Sequence, residues 1–197
     1  MDNIQKHLLE QIADLHEVPQ GAYNIRANGE MAGRNTTENI DIVTKTDKPG
    51  IDIIIKPGTK NERVDIPVLL TETGLDELVY NDFFIGEGAD VLIVAGCGIH
   101  NAGGLKSEHD GIHAFHLAKG AKLKYVEKHY GEGEGTGERV LNPTTVIEMD
   151  EGIGYEGHIV IEGGGGRVLE VGRLVVRDKE GHERCTHLSL SRTFRSK

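Results

Sequence analysis

Residues 96–116, GCGIHNAGGLKSEHDGIHAFH, concentrate side chains that can bind transition metals. The stretch holds four of the chain's ten histidines, one of its two cysteines and the acidic residues Glu108 and Asp110. Thiolate sulfur, imidazole nitrogen and carboxylate oxygen are the common protein ligands of iron and zinc. This density predicts either a metal site or a polar turn that happens to be rich in histidine.

The spacing of the histidines distinguishes two geometries. On a helix, His109, His113 and His116 would share one face and form a metal-binding ridge. On a strand, His113 and Phe115 would face one way, while Ala114 and His116 would face the other. A glycine inside the segment and the strand-like sequence around it favour the strand. We therefore predict that these histidines do not act as one tripod.

Cys97 and His113 are candidates for chemistry here, and the residues alone leave their role open. A lone cysteine at a strand end is more commonly a small buried side chain, and this interpretation stays open. Neutral imidazole can bind a metal directly or donate a hydrogen bond to a metal-bound ligand. The candidate metal ligands are Cys97, His100, His109, Asp110 and His113.

A second candidate pair lies in YVEKHYGEGEG. Strand alternation would place Glu127 and His129 on the same face, as a carboxylate–imidazole pair or as two ligands of iron. The alternative is a solvated strand edge. The acidic run Glu132, Glu134 and Glu138 that follows is predicted to be a solvated loop, because its spacing does not match an EF-hand calcium site.

The composition limits the partners and the environment of the chain. The 197 residues carry a net charge of -10, which argues against nucleic acid or an anionic membrane as a primary partner. The opening residues lack the apolar run of a signal peptide, and no segment is long and apolar enough for a membrane span. We expect a cytoplasmic protein in which Cys97 and Cys185 are thiols rather than a disulfide.

The pattern of apolar residues predicts a mainly β protein with one short N-terminal helix. Residues 2–16 carry a helical stripe that begins at a capping Asp2, and Pro19 and Gly21 are predicted to end the helix. Short strands are then predicted, separated by glycine, proline or asparagine. They are 40–43, 51–55, 64–70, 78–85, 91–95, 123–127, 144–148, 158–162 and 168–176.

A weak repeat accompanies these strands. GADVLIV begins at Gly88, GAKLKYV at Gly120 and GIGYEGH at Gly152, so the three segments start 32 residues apart. A glycine turn that leads into a strand at a fixed period is typical of a β-solenoid, in which every coil repeats the same corner. Coincidence in a chain with 27 glycines is the alternative.

Long motifs between residues 20 and 150 resemble the SufB/SufD family, in particular its short archaeal and anaerobe-type members. They include GRNTTENIDIV, IDIIIKPGTKNERVDIPVLL, ELVYNDFFIGEGADVLIVAGCGIHNAGG, SEHDGIHAF and KLKYVEKHYGEGEGTGERVLNPTT. The resemblance implies a right-handed parallel β-helix that serves as a scaffold in iron–sulfur cluster assembly. It also implies a transiently held cluster, iron, and a SufC-like ABC ATPase as partner.

The same resemblance implies roles for individual residues. A Gly-Cys step ends the equivalent strand in related sequences, which makes Cys97 a candidate to receive sulfur or to bind iron. A His-Ala step recurs at the position of His113, and Glu127 and His129 complete the expected cluster-binding set. The chain has no phosphate-binding loop, so we expect it to bind no nucleotide itself.

The family pattern gives way after about residue 150. We predict an N-terminal helix in residues 1–20, a β-helix core in 21–163 and a divergent basic tail in 164–197, in which eight Lys and Arg outnumber four Asp and Glu from residue 167. The helical segment that docks SufC in the family is not visible here, so SufC binding is in question. Homodimerisation or SufB/SufD-type pairing is expected. A tail site formed by His182, Cys185 and His187 receives little weight.

Two main hypotheses about function follow. The first is a cluster-assembly scaffold that is not itself an enzyme and that uses Cys97 with nearby ligands. The second is a mononuclear Zn, Fe or Mn enzyme of an all-β fold that uses His100, His109 and His113. A third possibility is a shortened structural protein that pairs through exposed coil edges and assembles no cluster.

Overall fold

A computed structural model describes residues 1–149, 154–163, 168–170, 173–178 and 189–192 of the chain. Helix α1 (Asn3–Ala13) is followed by strands only. These are β1 (Ala22–Ala27), β2 (Glu30–Asn35), β3 (Ile40–Thr44), β4 (Gly50–Ile55), β5 (Lys60–Leu70), β6 (Asp76–Ile85), β7 (Asp90–His100), β8 (Ser107–Leu117), β9 (Lys122–Glu132), β10 (Arg139–Leu141), β11 (Thr144–Met149), β12 (Gly154–Gly163), β13 (Val168–Glu170), β14 (Arg173–Asp178) and β15 (Ser189–Arg192).

The strands stack into a β-solenoid of two facing sheets, which confirms the predicted fold class. From β4 to β10 successive strands alternate between the sheets, and neighbours within a sheet are parallel from β4 and β5 onward. One sheet has the order β15-β12-β9-β7-β5-β1-β2, and the other has the order β13-β10-β8-β6-β4-β3. Each coil therefore places one strand in each sheet and encloses an interior between them.

The 32-residue interval of the sequence repeat is the separation between residues that pair in neighbouring coils. Asp90 pairs with Lys122, Lys122 with Gly154, and Asp76 with Glu108. At the corner, Gly88 and Gly120 adopt positive φ angles of 65° and 69°, and the Gly88 amide donates to the Lys119 carbonyl at 3.0 Å. These glycines form one repeated turn, as the sequence predicted. Gly152 lies outside the described residues.

Helix α1 is shorter than the predicted 2–16 and covers the outer face of β7. Asp2 caps it through a capping box with Gln5, and Asp14 ends it in the left-handed conformation, so Pro19 and Gly21 do not end it as predicted. A Cβ at Gly96 would lie 2.5 Å from the Lys128 carbonyl oxygen and 3.0 Å from Ile12 Cβ. The glycine thus permits the close approach of the helix to the sheet.

We predict that Gly96→Ala destabilises the chain by about 1–3 kcal/mol, because the added methyl overpacks this contact. Urea unfolding followed by circular dichroism would measure the change. Gly104→Ala is the matched control, since its Cβ would meet only Thr136 Oγ1 at 3.6 Å. Equal stability of the two variants would contradict this packing role.

Two antiparallel hairpins close the N-terminal end of the solenoid. Strand β1 pairs with β2, and β3 pairs with β4. The β1–β2 turn has positive φ at both Asn28 (50°) and Gly29 (82°), which is the pattern of the twist-matched two-residue hairpin turn. Strands β1 and β2 were not predicted, although the Asn28-Gly29 pair is a hairpin signal.

The interior is divided into an apolar half and a polar half. The apolar half is packed by isoleucines, valines and an aromatic stack, in which the Phe83 and Phe115 ring centroids are 4.3 Å apart and Tyr125 lies edge-on to Phe115 at 4.7 Å. The polar half begins where these aromatics end. Within the described residues, no helix has both the length and the apolar character of a membrane span.

Candidate functional site

The polar half of the interior contains a group of buried side chains that we call the inner polar cluster. Its members point inward from β6, β7, β8 and β9, and each is at most 8% exposed. Strand alternation explains their common direction, because each occupies the face that its apolar neighbours also use. The cluster consists of Glu77, Asn81, Cys97, His109, His113, Glu127 and His129.

Cys97 belongs to this cluster and also to a buried apolar group with Val68, Leu70, Ile99 and Leu141. It is 1% exposed, and its register neighbours are Val68 on β5 and His129 on β9. Burial raises the pKa of the Cys97 thiol well above its usual value, and the carboxylates of Glu77 and Glu127 raise it further. The thiol is therefore protonated at neutral pH, and forming its thiolate requires a nearby cation or proton acceptor.

Glu127 and His129 form a buried pair on β9, which confirms that the two side chains share a face. His129 Nε2 lies 3.1 Å from Glu127 Oε1. Burial alone would raise the pKa of Glu127, but His129, His113 and the Tyr125 hydroxyl together lower it to about 2. Glu127 is thus ionised, and it supplies negative charge to the interior.

His113 points inward with Phe115, as the strand interpretation predicted. Its Nδ1 lies 3.0 Å from the Tyr125 hydroxyl, and its ring lies beside Phe83 with centroids 5.9 Å apart. Burial lowers the pKa of His113 to about 4, and His109 and His129 add to this while Glu127 opposes it. A neutral imidazole results, which is the form that binds metals.

His109 belongs to a second charged group that reaches the N-terminal hairpin. Its Nδ1 lies 3.3 Å from Glu77 Oε2, and Arg26 Nε donates to Glu77 Oε1 at 2.8 Å. Burial alone would raise the pKa of Glu77, but His109 and Arg26 outweigh it and lower the pKa. Strand β1 therefore supplies the cation that keeps Glu77 ionised.

A gap above Gly111 separates the two histidines of β8. A Cβ at Gly111 would lie 2.8 Å from His113 Nε2 and 3.4 Å from His109 Nε2, so only glycine leaves this space open. The gap belongs to a cavity of about 10 Å³, which is roughly the space that one water needs. The cavity is lined by members of the inner polar cluster, among them Cys97, His109, His113, Glu127 and His129.

The remaining predicted ligands lie elsewhere. His100 alternates with inward-facing Ile99, and its Nδ1 lies 3.1 Å from Glu132 Oε1. Asp110 alternates with His109 on β8, and burial raises the pKa of its carboxyl group. The structure thus brings Cys97, His109 and His113 to one cavity and leaves His100 and Asp110 outside it.

Over the part of the chain that the structure describes, no three or more His, Cys, Asp and Glu side chains are grouped closely enough to hold a metal ion as they stand. The tripod of His100, His109 and His113 is likewise not assembled. The tail residues His182, Cys185 and His187 lie outside the described residues.

Sequence reasoning missed Glu77 and Asn81. In the register of the solenoid Glu77 lies beside His109 and Asn81 beside His113. Both pairs are separated by 32 residues, which is the interval already visible at Gly88 and Gly120. Applying that interval to every polar residue would have identified them.

Comparison with known proteins gives one informative similarity. The chain is 24% identical over 129 residues to an iron–sulfur cluster assembly SufBD family protein of Methanocaldococcus jannaschii. The chain is similar to a SufBD protein. The matched region covers 65% of this chain and 40% of that relative, so it spans less than half of the relative's length. This similarity supports a relationship to the SufBD family, and it does not distinguish SufB from SufD.

The other two comparisons gave no match. No family model matches the chain, and no solved structure matches it.

Proposed function

We propose that the chain is a scaffold for iron–sulfur cluster assembly that holds iron and sulfide, its substrates, in the inner polar cluster. One observation carries the proposal: Cys97, His113, Glu127 and His129 line a single cavity. The similarity to a SufBD protein supports it. A thiolate and imidazoles suit iron, and an ionised carboxylate offsets the charge of the cation.

Cys97 acts in this proposal as the sulfur ligand of iron. Its thiol is protonated in the metal-free protein, so entry of iron(II) must accompany the loss of the proton. His129 is the register neighbour of Cys97 and is paired with ionised Glu127. The imidazole of His129 can accept the proton, and the Glu127 carboxylate stabilises the resulting imidazolium.

The proposal extends to partners. We propose that a SufC-like ATPase supplies the energy of assembly, because the chain itself contains no phosphate-binding loop. We further propose that the chain works in the cytoplasm as a homodimer or in a SufB/SufD-type pair. In this role it is a scaffold rather than an enzyme.

Anaerobic reconstitution with iron(II) and sulfide tests the proposal. The wild-type chain should gain a visible cluster absorption together with bound iron and acid-labile sulfide. Cys97→Ala should lose most of all three, because it removes the thiolate ligand. Cys185→Ala is the matched control and should retain them. A Cys97→Ala spectrum equal to that of the wild type would remove Cys97 from the mechanism.

A further inference from the structure

We propose that His109 and His113 form a binding site for one divalent transition metal ion, of the iron(II) and zinc(II) class, in the gap above Gly111. The site shares its cavity with the proposed cluster function. It shares His113 with that function but needs neither Cys97 nor sulfide, so a variant at Cys97 tests the two proposals separately.

The geometry of β8 creates the site. His109, Gly111 and His113 are consecutive inward positions of one strand, and the middle position has no side chain. The Nε2 atoms of both imidazoles lie within 3.4 Å of the point that a Gly111 Cβ would occupy. Two nitrogen donors thus face one unfilled space. In any other residue a Cβ atom would occupy this space.

The Tyr125 hydroxyl orients His113. It lies 3.0 Å from His113 Nδ1, so this nitrogen already has a partner in the interior. The other nitrogen, Nε2, lies 2.8 Å from the point that a Gly111 Cβ would occupy and therefore faces the gap. In the tautomer that carries its proton on Nδ1, the lone pair of Nε2 is available to a metal ion.

His109 is oriented in an equivalent way. Its Nδ1 lies 3.3 Å from Glu77 Oε2, outside hydrogen-bond geometry, and its Nε2 is the nitrogen that faces the gap. A histidine whose second nitrogen is held by a carboxylate or another acceptor is the usual arrangement around protein-bound metals. Both histidines of β8 place Nδ1 beside a group of this kind.

Charge and space in the cavity agree with a small cation. Glu127 is 2% exposed, lines the cavity, and its Oε2 accepts no hydrogen bond. A buried oxygen of this kind is costly unless a cation or donor approaches it. With two imidazoles as anchors, the other coordination positions are left to water or a small anion, as in metal sites that remain open.

Cobalt(II) titration of the metal-free full chain, followed by its visible ligand-field absorption, tests the site. We expect one cobalt per chain in the wild type. His109→Gln, His113→Gln and Gly111→Ala should each weaken binding by at least about tenfold, since they remove a ligand or fill the gap. His116→Gln, on the outer face of the same strand, and Gly104→Ala are the matched controls and should bind as the wild type does.

Three results would overturn the site. They are the absence of cobalt binding by the wild type, unchanged binding by both histidine variants, or a cobalt X-ray absorption spectrum of the wild type without imidazole scattering. The last measurement needs no variant to fold. Cys97→Ala should retain cobalt binding even where it fails to assemble a cluster, which separates this site from the proposed function.

Discussion

Arg139→Met is expected to lower the free energy of unfolding by about 3 kcal/mol or more, the largest single effect that we predict outside the inner polar cluster. The Arg139 side chain is 1% exposed and donates to backbone carbonyls. Its Nε donates to Glu132 at 2.6 Å, and its Nη2 donates to Asn101 at 2.8 Å and also to Gly133. Hydrogen bonds from a charged group are each worth about 1.5–3 kcal/mol, and the variant removes several at once.

The position of these carbonyls explains why the loss cannot be recovered. The Glu132 and Gly133 carbonyls lie at the end of β9 and in the corner that follows it, and the Asn101 carbonyl lies in the corner that follows β7. Gly133 and Gly137 stack the first corner directly on the second. A Cβ at Gly133 would lie 2.5 Å from the Asn101 carbonyl oxygen, so the two corners have no room for solvent between them. Without Arg139 the Glu132 and Asn101 carbonyls keep only their backbone donors, the amides of Asn101 and Gly135 at 3.0 Å, and solvent does not replace the lost side-chain donors.

Urea unfolding monitored by circular dichroism would measure this loss. Arg139→Lys keeps the charge but not the forked donors, and we expect a smaller decrease. Lys122→Met, at an exposed position, should change stability by less than about 0.5 kcal/mol. A stability of Arg139→Met within that same range would show that Arg139 does not hold the corners together.

The second large effect is a loss of stability in mild acid that depends on His113. Its pKa is about 4 in the folded chain, against 6.5 as the ordinary value. Between these pH values the unfolded chain binds a proton that the folded chain does not bind, so the free energy of unfolding falls as pH drops from 6.5 toward 4. The stabilising contribution of neutral His113 is fully present above pH 6.5. The whole contribution of His113 to the free energy of unfolding is about 3 kcal/mol, of which about 2 kcal/mol is lost between pH 7 and pH 5.

His113→Gln should remove this component, so its stability should fall less than that of the wild type between the two pH values. Glu127 does not obscure the comparison, because its pKa of about 2 keeps it ionised throughout. His16→Gln, at a side chain that is 78% exposed, is the matched control and should keep the wild-type slope. Parallel pH profiles of the wild type and His113→Gln would refute the burial of a neutral His113.

Local patterns were sufficient to predict much of this fold. Alternation placed Glu127 with His129 and His113 with Phe115, because the period of a strand is fixed by the backbone. The glycine interval predicted the coil, since a positive φ recurs at Gly88 and Gly120. Strand β8 was harder to predict, because its inward positions include two histidines and a glycine rather than apolar residues.

The candidate site was predicted only in part. Cys97 and His113 were paired from motif resemblance, while the register that joins Cys97 to His129 and Glu77 to His109 depends on contacts between coils. Gly96, next to Cys97, allows the close approach of α1, and only the packing of the helix reveals this role.

The hairpins at the N-terminal end determine where further coils can be added to the solenoid. Strands β2 and β3 run antiparallel to their neighbours, so a further parallel coil cannot be added there without dismantling a hairpin. Beyond β6, neighbouring coils repeat in register every 32 residues. Duplication of one such unit would insert a complete coil and leave the polar interior in phase, whereas an insertion of one residue within β8 would turn its inward histidines to the outside.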